Sequence, residues 1–381
     1  MSERADLVDR VRRRLVSDGS RDLAGVADAL RSESDGIVDD LVFDRLRRAV
    51  EADLHGVGPL EPLLATPGAT DVLVNGPDSV WLDRGRGMER TQVAFADEGA
   101  VRALAQRLAA VAGRRLDDAM PYVDAVLGDG TRLHAVLPPL VPATTLSLRV
   151  LARRRYSLDD LVDLGAMPRP VADLLLAVFE ARLAVVVTGG TGTGKTTLLG
   201  ALLGTVVGTE RLLLIEDAPE IVVAHPHVVR LVTRSANVEG AGGVGLRELV
   251  RQALRMRPDR LVVGEFRGAE MVELLVALNT GHEGSAATMH ANSAADVPAR
   301  FAALGALAGL PAAAVTSLVA SAIDVVVQLR RRRDGRRVVS EIGLLARADD
   351  GLVVSSAWSV EDGDGPAAPR LRMLLAERAQ R

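Results

Sequence analysis

The sequence predicts an α/β protein: a larger domain built on a parallel sheet with crossover helices, a smaller α/β domain before it, and an N-terminal helical extension. Short apolar runs alternate with helical segments between residues 184 and 329, which is typical of parallel strands joined by helices. Shorter β-like runs separated by turns occupy residues 56–150, and apolar residues at helical spacing dominate residues 1–53. A chain of 381 residues has room for two or three such units.

Changes in this pattern predict the domain boundaries. Residues 153–165 are largely polar and precede a proline pair, which favours an interdomain linker. Residues 361–369 are rich in Gly, Asp, Pro and Ala and predict a flexible connector before a short terminal helix. The predicted divisions are 1–53 for the helical extension, 54–151 for the smaller domain, 152–167 for the linker, 168–345 for the larger domain and 346–381 for a C-terminal tail.

The individual elements follow from local periodicity and turn residues. In the smaller domain we expect strands at 71–74, 80–82, 132–137 and 146–150, and a helix at 98–111. In the larger domain we expect strands at 184–188, 212–215, 261–264, 285–289 and 323–329, with a helix at 246–257. The last strand runs through a cluster of arginines into Asp334-Gly335, and this dipeptide predicts a β-hairpin turn.

The composition excludes several classes of protein. Hydrophobic residues make up 48% and charged residues 25% of the chain, as in ordinary globular proteins and unlike disordered ones. Aromatic residues are only 2%, which disfavours stacking platforms for single strands, and the formal charge of −4 leaves no global basic excess for phosphate backbones. The sequence has no cysteine, which removes disulfides, thiol catalysis and thiolate zinc sites. The charged first 14 residues do not resemble a signal peptide.

One uncharged stretch, residues 302–323, is long enough to span a bilayer. It consists mostly of alanine and glycine and is interrupted by Pro311. These small residues favour helices packed in a soluble core over a membrane span.

A glycine-rich loop carries the strongest chemical signal in the chain. Residues 189–196 fit the pattern G-x-x-x-x-G-K-[ST], with an apolar strand predicted before the loop and a helix after it. Such a loop turns consecutive N–H groups and a helix N-terminus toward a phosphate, so the pattern predicts a site for ATP and Mg²⁺. Lys195 would reach the β- and γ-phosphates, and the Thr196 hydroxyl would bind Mg²⁺. The predicted nucleotide-binding residues are Gly189, Gly190, Thr191, Gly192, Thr193, Gly194, Lys195, Thr196 and Thr197.

Lys195 is the single lysine of a chain in which lysine and arginine together number 46. A coding bias toward arginine explains the general scarcity of lysine but predicts arginine at this position too. A compact ammonium fits a small phosphate nest that a broad guanidinium does not. The identity of residue 195 therefore indicates chemistry.

Carboxylates follow two of the predicted strands. Glu216 and Asp217 come after the strand at 212–215, with Glu220 close behind, and Glu265 follows the strand at 261–264. Ligands gather at the carboxyl ends of strands in open α/β sheets. We expect Glu265 to polarise an attacking water and Glu216, with Asp217, to contribute to the Mg²⁺ shell. The alternative is that each acid caps a following helix.

Two histidines and two groups of arginines have competing interpretations. His282 and His290 have no third metal ligand nearby, so a metal site is disfavoured, whereas His290 at a strand end could sense a γ-phosphate or contact Glu265. One arginine row, at positions 247, 251 and 255, is either a solvated helix face or faces acids of a neighbouring subunit. The six arginines between Arg330 and Arg337 form either a solvated hairpin tip or a surface for an acidic partner.

Taken together, these motifs resemble those of a known family. The loop at 189–197, Glu216-Asp217-Ala-Pro-Glu220, the segment 257–268 around Glu265, and the segment 280–292 with both histidines resemble, in order and spacing, the Walker A, acidic, Walker B and histidine boxes of type II/type IV secretion ATPases. The chain is most similar to the CpaF-like, tight-adherence (Tad) pilus branch. Upstream segments at 58–64 and 71–77 extend the resemblance to about residues 50–345.

The resemblance implies a RecA-like P-loop (ASCE) domain in a homo-hexameric motor, bound peripherally to inner-membrane platform proteins at the cytoplasmic face of the plasma membrane. It also implies that arginines of the N-terminal domain, here Arg132 and Arg149, reach the phosphates when the domains close. The Walker B strand ends in Gly264-Glu265 without an aspartate, so Mg²⁺ binding would rest partly on Glu216 or Asp217. The tetracysteine zinc module of some branches is absent, so no zinc is expected.

Three functions remain open at this point. The favoured one is a motor for pilus assembly or protein secretion. A conjugation-type DNA-transfer ATPase uses the same motifs, and nucleic acid is therefore a possible but disfavoured partner. The third is a P-loop protein that binds ATP as a structural switch with little hydrolysis. Glu216, Glu265 and His290, together with the upstream arginines Arg132 and Arg149, count against it.

Overall fold

A computed structural model describes residues 56–85, 87–150, 155–234, 236, 241–349 and 351–380. The predicted helical extension at 1–53 lies outside the described residues. Tertiary contacts divide the chain into two compact units, Met1–Leu151 and Ala152–Arg381.

The described part of the first unit is a six-stranded antiparallel sheet with one long helix packed on it. The sheet order is β3-β2-β1-β6-β5-β4. Alternate strand residues such as Val72 and Leu148 are buried against Leu104 of the long helix, α2, which begins after the capping side chain of Asp97. The elements are α1 (Glu61–Leu64), β1 (Asp71–Asn75), β2 (Val80–Asp83), β3 (Met88–Arg90), α2 (Glu98–Val111), β4 (Tyr122–Val126), β5 (Arg132–Val136) and β6 (Thr145–Arg149).

The second unit is a nine-stranded sheet with helices on both faces. Its order is β15-β14-β13-β12-β7-β11-β10-β8-β9, parallel from β12 to β9 and antiparallel from β12 to β15. The elements are α3 (Leu158–Asp163), α4 (Arg169–Glu180), β7 (Val185–Gly189), α5 (Lys195–Leu203), β8 (Leu212–Glu216), β9 (Val228–Val232), α6 (Leu246–Ala253), β10 (Arg260–Val263), α7 (Glu270–Leu278), β11 (Ala286–Met289), α8 (Val297–Leu307), α9 (Ala312–Ala322), β12 (Val325–Arg331), β13 (Arg337–Ala348), β14 (Gly351–Ser359), β15 (Gly363–Asp364) and α10 (Ala368–Ala379).

Two apolar cores, one on each face, hold this sheet between its helices. Residues of α3, α4, α5 and α10 pack on one face, and residues of α6 to α9 pack on the other. The central strands β7, β8 and β10 are buried along their whole length, as expected of parallel strands covered on both sides. The predicted α/β class, the five strands of the larger domain and the hairpin after β12 are confirmed.

Two segments differ from the sequence predictions. The stretch predicted as a linker, 152–167, contains α3, whose first turn is closed by a capping box between Ser157 and Asp160 and whose Leu158 and Leu161 are buried in the core. The stretch predicted as a tail, 346–381, continues the sheet through β14 and β15 and ends in α10, which buries Leu371. In both segments a few apolar residues anchor otherwise polar chain to the core.

The uncharged stretch at 302–323 forms two helices instead of one. It covers most of α8 and all of α9, and the chain turns between them at Gly309, with a φ of 77°, and at Pro311, which precedes α9. Within the described ranges, no helix is long and apolar enough to cross a membrane.

Candidate nucleotide site

The glycine-rich loop connects the end of β7 to the start of α5 and has the backbone of a phosphate cradle. Gly189, Gly192 and Gly194 have φ values of 148°, 70° and 95°, a region that side chains disfavour. A Cβ at Gly189 would lie 2.6 Å from the Leu329 carbonyl oxygen, whereas a Cβ at Gly192 would meet no atom within 4 Å. No side chain caps the N-terminus of α5, so its first N–H groups stay available. These residues fit a bound phosphate group.

Lys195 is folded back into this loop. Its side chain is 8% exposed, and its Nζ donates to the carbonyl oxygens of Gly189 and Gly190, both at 3.0 Å. Burial lowers the pKa of the ammonium, and the nearby Glu265 carboxylate opposes that shift. The loop thus holds a desolvated cation at its centre, ready to exchange backbone oxygens for phosphate oxygens.

Three predicted site residues form a continuous line across the sheet. His290 Nε2 lies 2.6 Å from Glu265 Oε1, and His290 Nδ1 lies 3.5 Å from Lys195 Nζ. The order follows from the topology, because Lys195 comes after β7, His290 after β11 and Glu265 after β10, and β11 lies between the other two strands. The carboxyl ends of these three strands lie at the same edge of the sheet, which is where parallel sheets bind ligands.

The protonation of His290 follows from its two neighbours. Burial lowers the pKa of the imidazole, against the opposing charge of Glu265. Since an ammonium has donors only, Nδ1 is the acceptor toward Lys195, and the proton of a neutral ring then resides on Nε2, toward Glu265. His290 can therefore register changes at either residue.

Arg267 takes the other oxygen of Glu265 and was assigned no role from the sequence. Its Nε donates to Glu265 Oε2 at 2.8 Å, and its Nη2 contacts the same oxygen. Burial by itself would lower the pKa of the Arg267 guanidinium. The contact with Glu265 and the negative charges of Asp217 and Glu220 outweigh this effect, so the pKa is raised. Its position two residues after Glu265 was the one feature of the sequence that placed it near the site.

Glu216 ends β8 and is held by protein partners on both oxygens. Its side chain is 2% exposed, Oε1 accepts the Ile221 N–H at 2.7 Å, and Oε2 lies 3.0 Å from Arg230 Nε. Burial raises the pKa of this carboxyl to about 7. Gly264 makes room for it, because a Cβ there would lie 2.9 Å from Glu216 Cγ. The Mg²⁺ role of Glu216 stays a prediction.

Asp217, the next residue, is exposed and accepts a hydrogen bond from the Thr233 hydroxyl at 3.3 Å. With Thr233 and Glu270 it lines an open cleft of about 370 Å³. In the part of the chain that the structure describes, no group of three or more His, Cys, Asp or Glu side chains could hold a metal ion by itself. A Mg²⁺ ion bound mainly through nucleotide phosphates and one or two protein oxygens does not need such a group.

The two predicted arginines of the first unit are brought together there. Arg132 and Arg149 are directly opposite each other on β5 and β6, and Arg149 Nε lies 3.0 Å from Asp71 Oδ1. Like charges directly across a sheet repel, and Asp71 offsets part of that repulsion. Their role toward phosphate stays a prediction.

Two residues of the arginine row at positions 247, 251 and 255 are paired within the chain. Arg247 and Arg251 of α6 contact the Glu273 carboxylate of α7 at 2.5 and 2.9 Å. His282 Nδ1 lies 3.1 Å from the Ala277 carbonyl oxygen, a contact typical of a structural role.

Comparison with known proteins identifies the family of the chain. The family model described as "Type II/IV secretion system protein" matches residues 53–359. The chain is 54% identical to a putative conjugal transfer protein of Mycobacterium tuberculosis, over 87% of this chain and 96% of that protein. It is 33% identical to the type IV secretion system protein PtlH of Bordetella pertussis, over 77% of this chain and 95% of that one.

Among solved structures, the ATPase DotB of Yersinia pseudotuberculosis superposes with a TM-score of 0.50 at 17% identity, covering 81% of this chain and 82% of that one. This likeness concerns the fold alone. The family match covers most of the chain and every predicted site residue, so the chain belongs to the type II/IV secretion system protein family.

Proposed function

We propose that this protein is a Mg²⁺-dependent ATPase whose hydrolysis drives a type II/IV secretion-class machine. The observation that carries the proposal is the line Lys195, His290 and Glu265 along the carboxyl edge of three adjacent strands. A site that merely bound phosphate would need the loop and its lysine, but no carboxylate linked to that lysine through an imidazole.

Each site residue has a role in ATP binding or hydrolysis that follows from its chemistry. The loop N–H groups and Lys195 bind the β- and γ-phosphates, and the Thr196 hydroxyl contributes to the Mg²⁺ shell, with Glu216 and Asp217 as further candidates. Bound Mg²⁺ would neutralise phosphate charge. Glu265 orients and polarises the attacking water, and its Oε1, which accepts no hydrogen bond within the described residues, is the available acceptor.

His290 acts as the sensor of nucleotide state in this proposal. When Lys195 exchanges the carbonyl oxygens of Gly189 and Gly190 for phosphate oxygens, its distance to His290 Nδ1 changes. The imidazole transmits that change to Glu265 through the 2.6 Å contact. Binding and catalysis are thereby coupled over one side chain.

We further propose a homo-hexamer docked on inner-membrane platform proteins at the cytoplasmic face, in which Arg132 and Arg149 reach the phosphates on domain closure. Pilus assembly or protein secretion is the favoured work of this motor, and we retain the Tad branch as a proposal. The similarity to a putative conjugal transfer protein of Mycobacterium tuberculosis supports DNA transfer as a second candidate.

The test is release of phosphate from ATP with and without Mg²⁺, measured beside ATP affinity. Wild-type protein is expected to hydrolyse ATP only with Mg²⁺, and Lys195→Ala is expected to lose both affinity and hydrolysis. Binding of ATP without measurable hydrolysis by wild-type protein, alone or at concentrations that favour oligomers, would support the structural-switch alternative instead.

A further inference from the structure

The arginine-rich hairpin formed by β12 and β13 borders the phosphate loop. β12 runs parallel to β7 up to the pair Leu329 and Gly189, then continues for two residues beyond the end of β7. The approach is close, since a Cβ at Gly189 would lie 2.6 Å from the Leu329 carbonyl oxygen. The end of the hairpin therefore projects beside the loop that follows Gly189.

Arg337, the first residue of β13, lies against this loop. A Cβ at Gly194 would be 3.5 Å from Arg337 Cδ and 4.0 Å from Arg337 Cβ, so the aliphatic part of the side chain passes the last glycine before Lys195. The side chain is exposed, and within the described ranges its guanidinium makes no hydrogen bond or ion pair. Cδ is one bond from the guanidinium, which thus lies within a few ångströms of the loop.

Neighbouring arginines of the hairpin are engaged differently. Arg336 Nε lies 2.7 Å from Asp334 Oδ2, and Arg330 contacts Glu361. These ion pairs explain both residues as parts of a solvated hairpin. Arg337 has no such explanation in the part of the chain that the structure describes.

The charges around Arg337 favour an anion. Arg331 stands directly opposite Arg337 on β12, and like charges across an antiparallel pair repel. The buried ammonium of Lys195 follows Gly194 in the same loop. An anion in the loop offsets this repulsion, and a guanidinium matches phosphate oxygens with two parallel donors.

We propose that Arg337 binds a phosphate of the nucleotide held by the loop and so sets nucleotide affinity. The inference rests on the proposed function. Because the loop backbone around Gly194 cradles the α- and β-phosphates, Arg337 contacts a group that ATP and ADP share. The hairpin is then a wall of the nucleotide site as well as an edge of the sheet.

The experiment compares Arg337→Gln with Arg336→Gln, which removes the same charge one residue away. The affinity for ADP with Mg²⁺ is measured by calorimetry, and the affinity for inorganic pyrophosphate is measured by competition. Arg337→Gln is expected to weaken both ligands by about tenfold, and Arg336→Gln by less than about twofold. Arg337→Lys keeps the charge without the fork, so its expected loss is intermediate. Unchanged thermal unfolding midpoints show that the variants are folded.

Each other outcome has a distinct meaning. If wild-type protein binds ADP and Arg337→Gln binds it as tightly as Arg336→Gln does, the inference is overturned and the proposed function stands. A loss for ADP with pyrophosphate binding unchanged also overturns it, since the contact is then to the nucleoside. Failure of wild-type protein to bind any of these ligands contradicts the proposed function itself.

Discussion

His290 Nε2 lies 2.6 Å from Glu265 Oε1, across the adjacent strands β11 and β10. The contact joins the predicted catalytic carboxylate to a histidine that also faces Lys195. Arg267 donates to the other oxygen, Oε2, whereas Oε1 lies close to His290 but accepts no hydrogen bond within the described residues. Oε1 therefore has acceptor capacity for a proton from water without release of the Arg267 contact.

Replacing His290 tests the coupling that this contact provides. His290→Asn shortens the side chain and removes the link between Glu265 and Lys195, so Glu265 keeps its Arg267 contact but loses the contact that orients Oε1. We expect kcat for ATP to fall by roughly a hundredfold, with ATP affinity changed much less. The control is His282→Asn, because His282 lies before β11 at the other end of the strand and contacts a backbone oxygen. Equal effects of the two variants would contradict a positioning role for His290.

Glu216 predicts a pH dependence of stability. Burial raises the pKa of its carboxyl from 4.5 to about 7, so the folded protein binds more protons than the unfolded chain between these values. The contribution of Glu216 to the free energy of unfolding therefore decreases as the pH rises from about 5 to about 8. Glu216→Gln keeps an acceptor for the Ile221 N–H and carries no charge to desolvate.

The measurement is the free energy of unfolding by urea at several pH values. Relative to wild-type protein, Glu216→Gln should gain about 1–3 kcal/mol between pH 5 and pH 8. Parallel curves for the two proteins would mean that Glu216 does not titrate in this range. Asp217→Asn provides a matched control, since Asp217 is exposed.

Arg132 and Arg149 predict a separation of turnover from affinity. If they reach the phosphates on domain closure, Arg132→Gln and Arg149→Gln should lower kcat by about tenfold or more and change ATP affinity little. Arg84→Gln in the same unit is the control, because Arg84 is paired with Glu89 at 2.8 Å on the surface. Equal losses of kcat and affinity would indicate contact with the nucleotide before closure.

The local elements were predictable because their signals are local. The helix at 98–111 matches α2 residue for residue, and the phosphate loop joins β7 to α5 as its pattern required. β9 was not predicted although most of its residues are apolar, and α3 was missed because two leucines anchor a mainly polar segment. The polarity of the α3 segment predicted a linker, whereas packing of its leucines against the core makes it a helix.

The site was predictable as a set of residues but not as an arrangement. The proximity of Lys195, His290 and Glu265 depends on β11 lying between β7 and β10, and strand order is a property of the whole sheet. The sequence predicted no contact with the nucleotide site for Arg267, within the segment 257–268, or for Arg337, one of the six hairpin arginines, because their positions beside Glu265 and Gly194 exist only in the folded chain.

The most direct measurement of the central claim is ATP turnover by Glu265→Gln beside its ATP affinity. Glutamine keeps the size of the side chain but cannot accept a proton from water, so we expect hydrolysis to fall by about two to four orders of magnitude. ATP affinity should persist, since the phosphate loop and Lys195 are unchanged. Normal turnover by Glu265→Gln would contradict the assignment of Glu265 as the residue that polarises the attacking water.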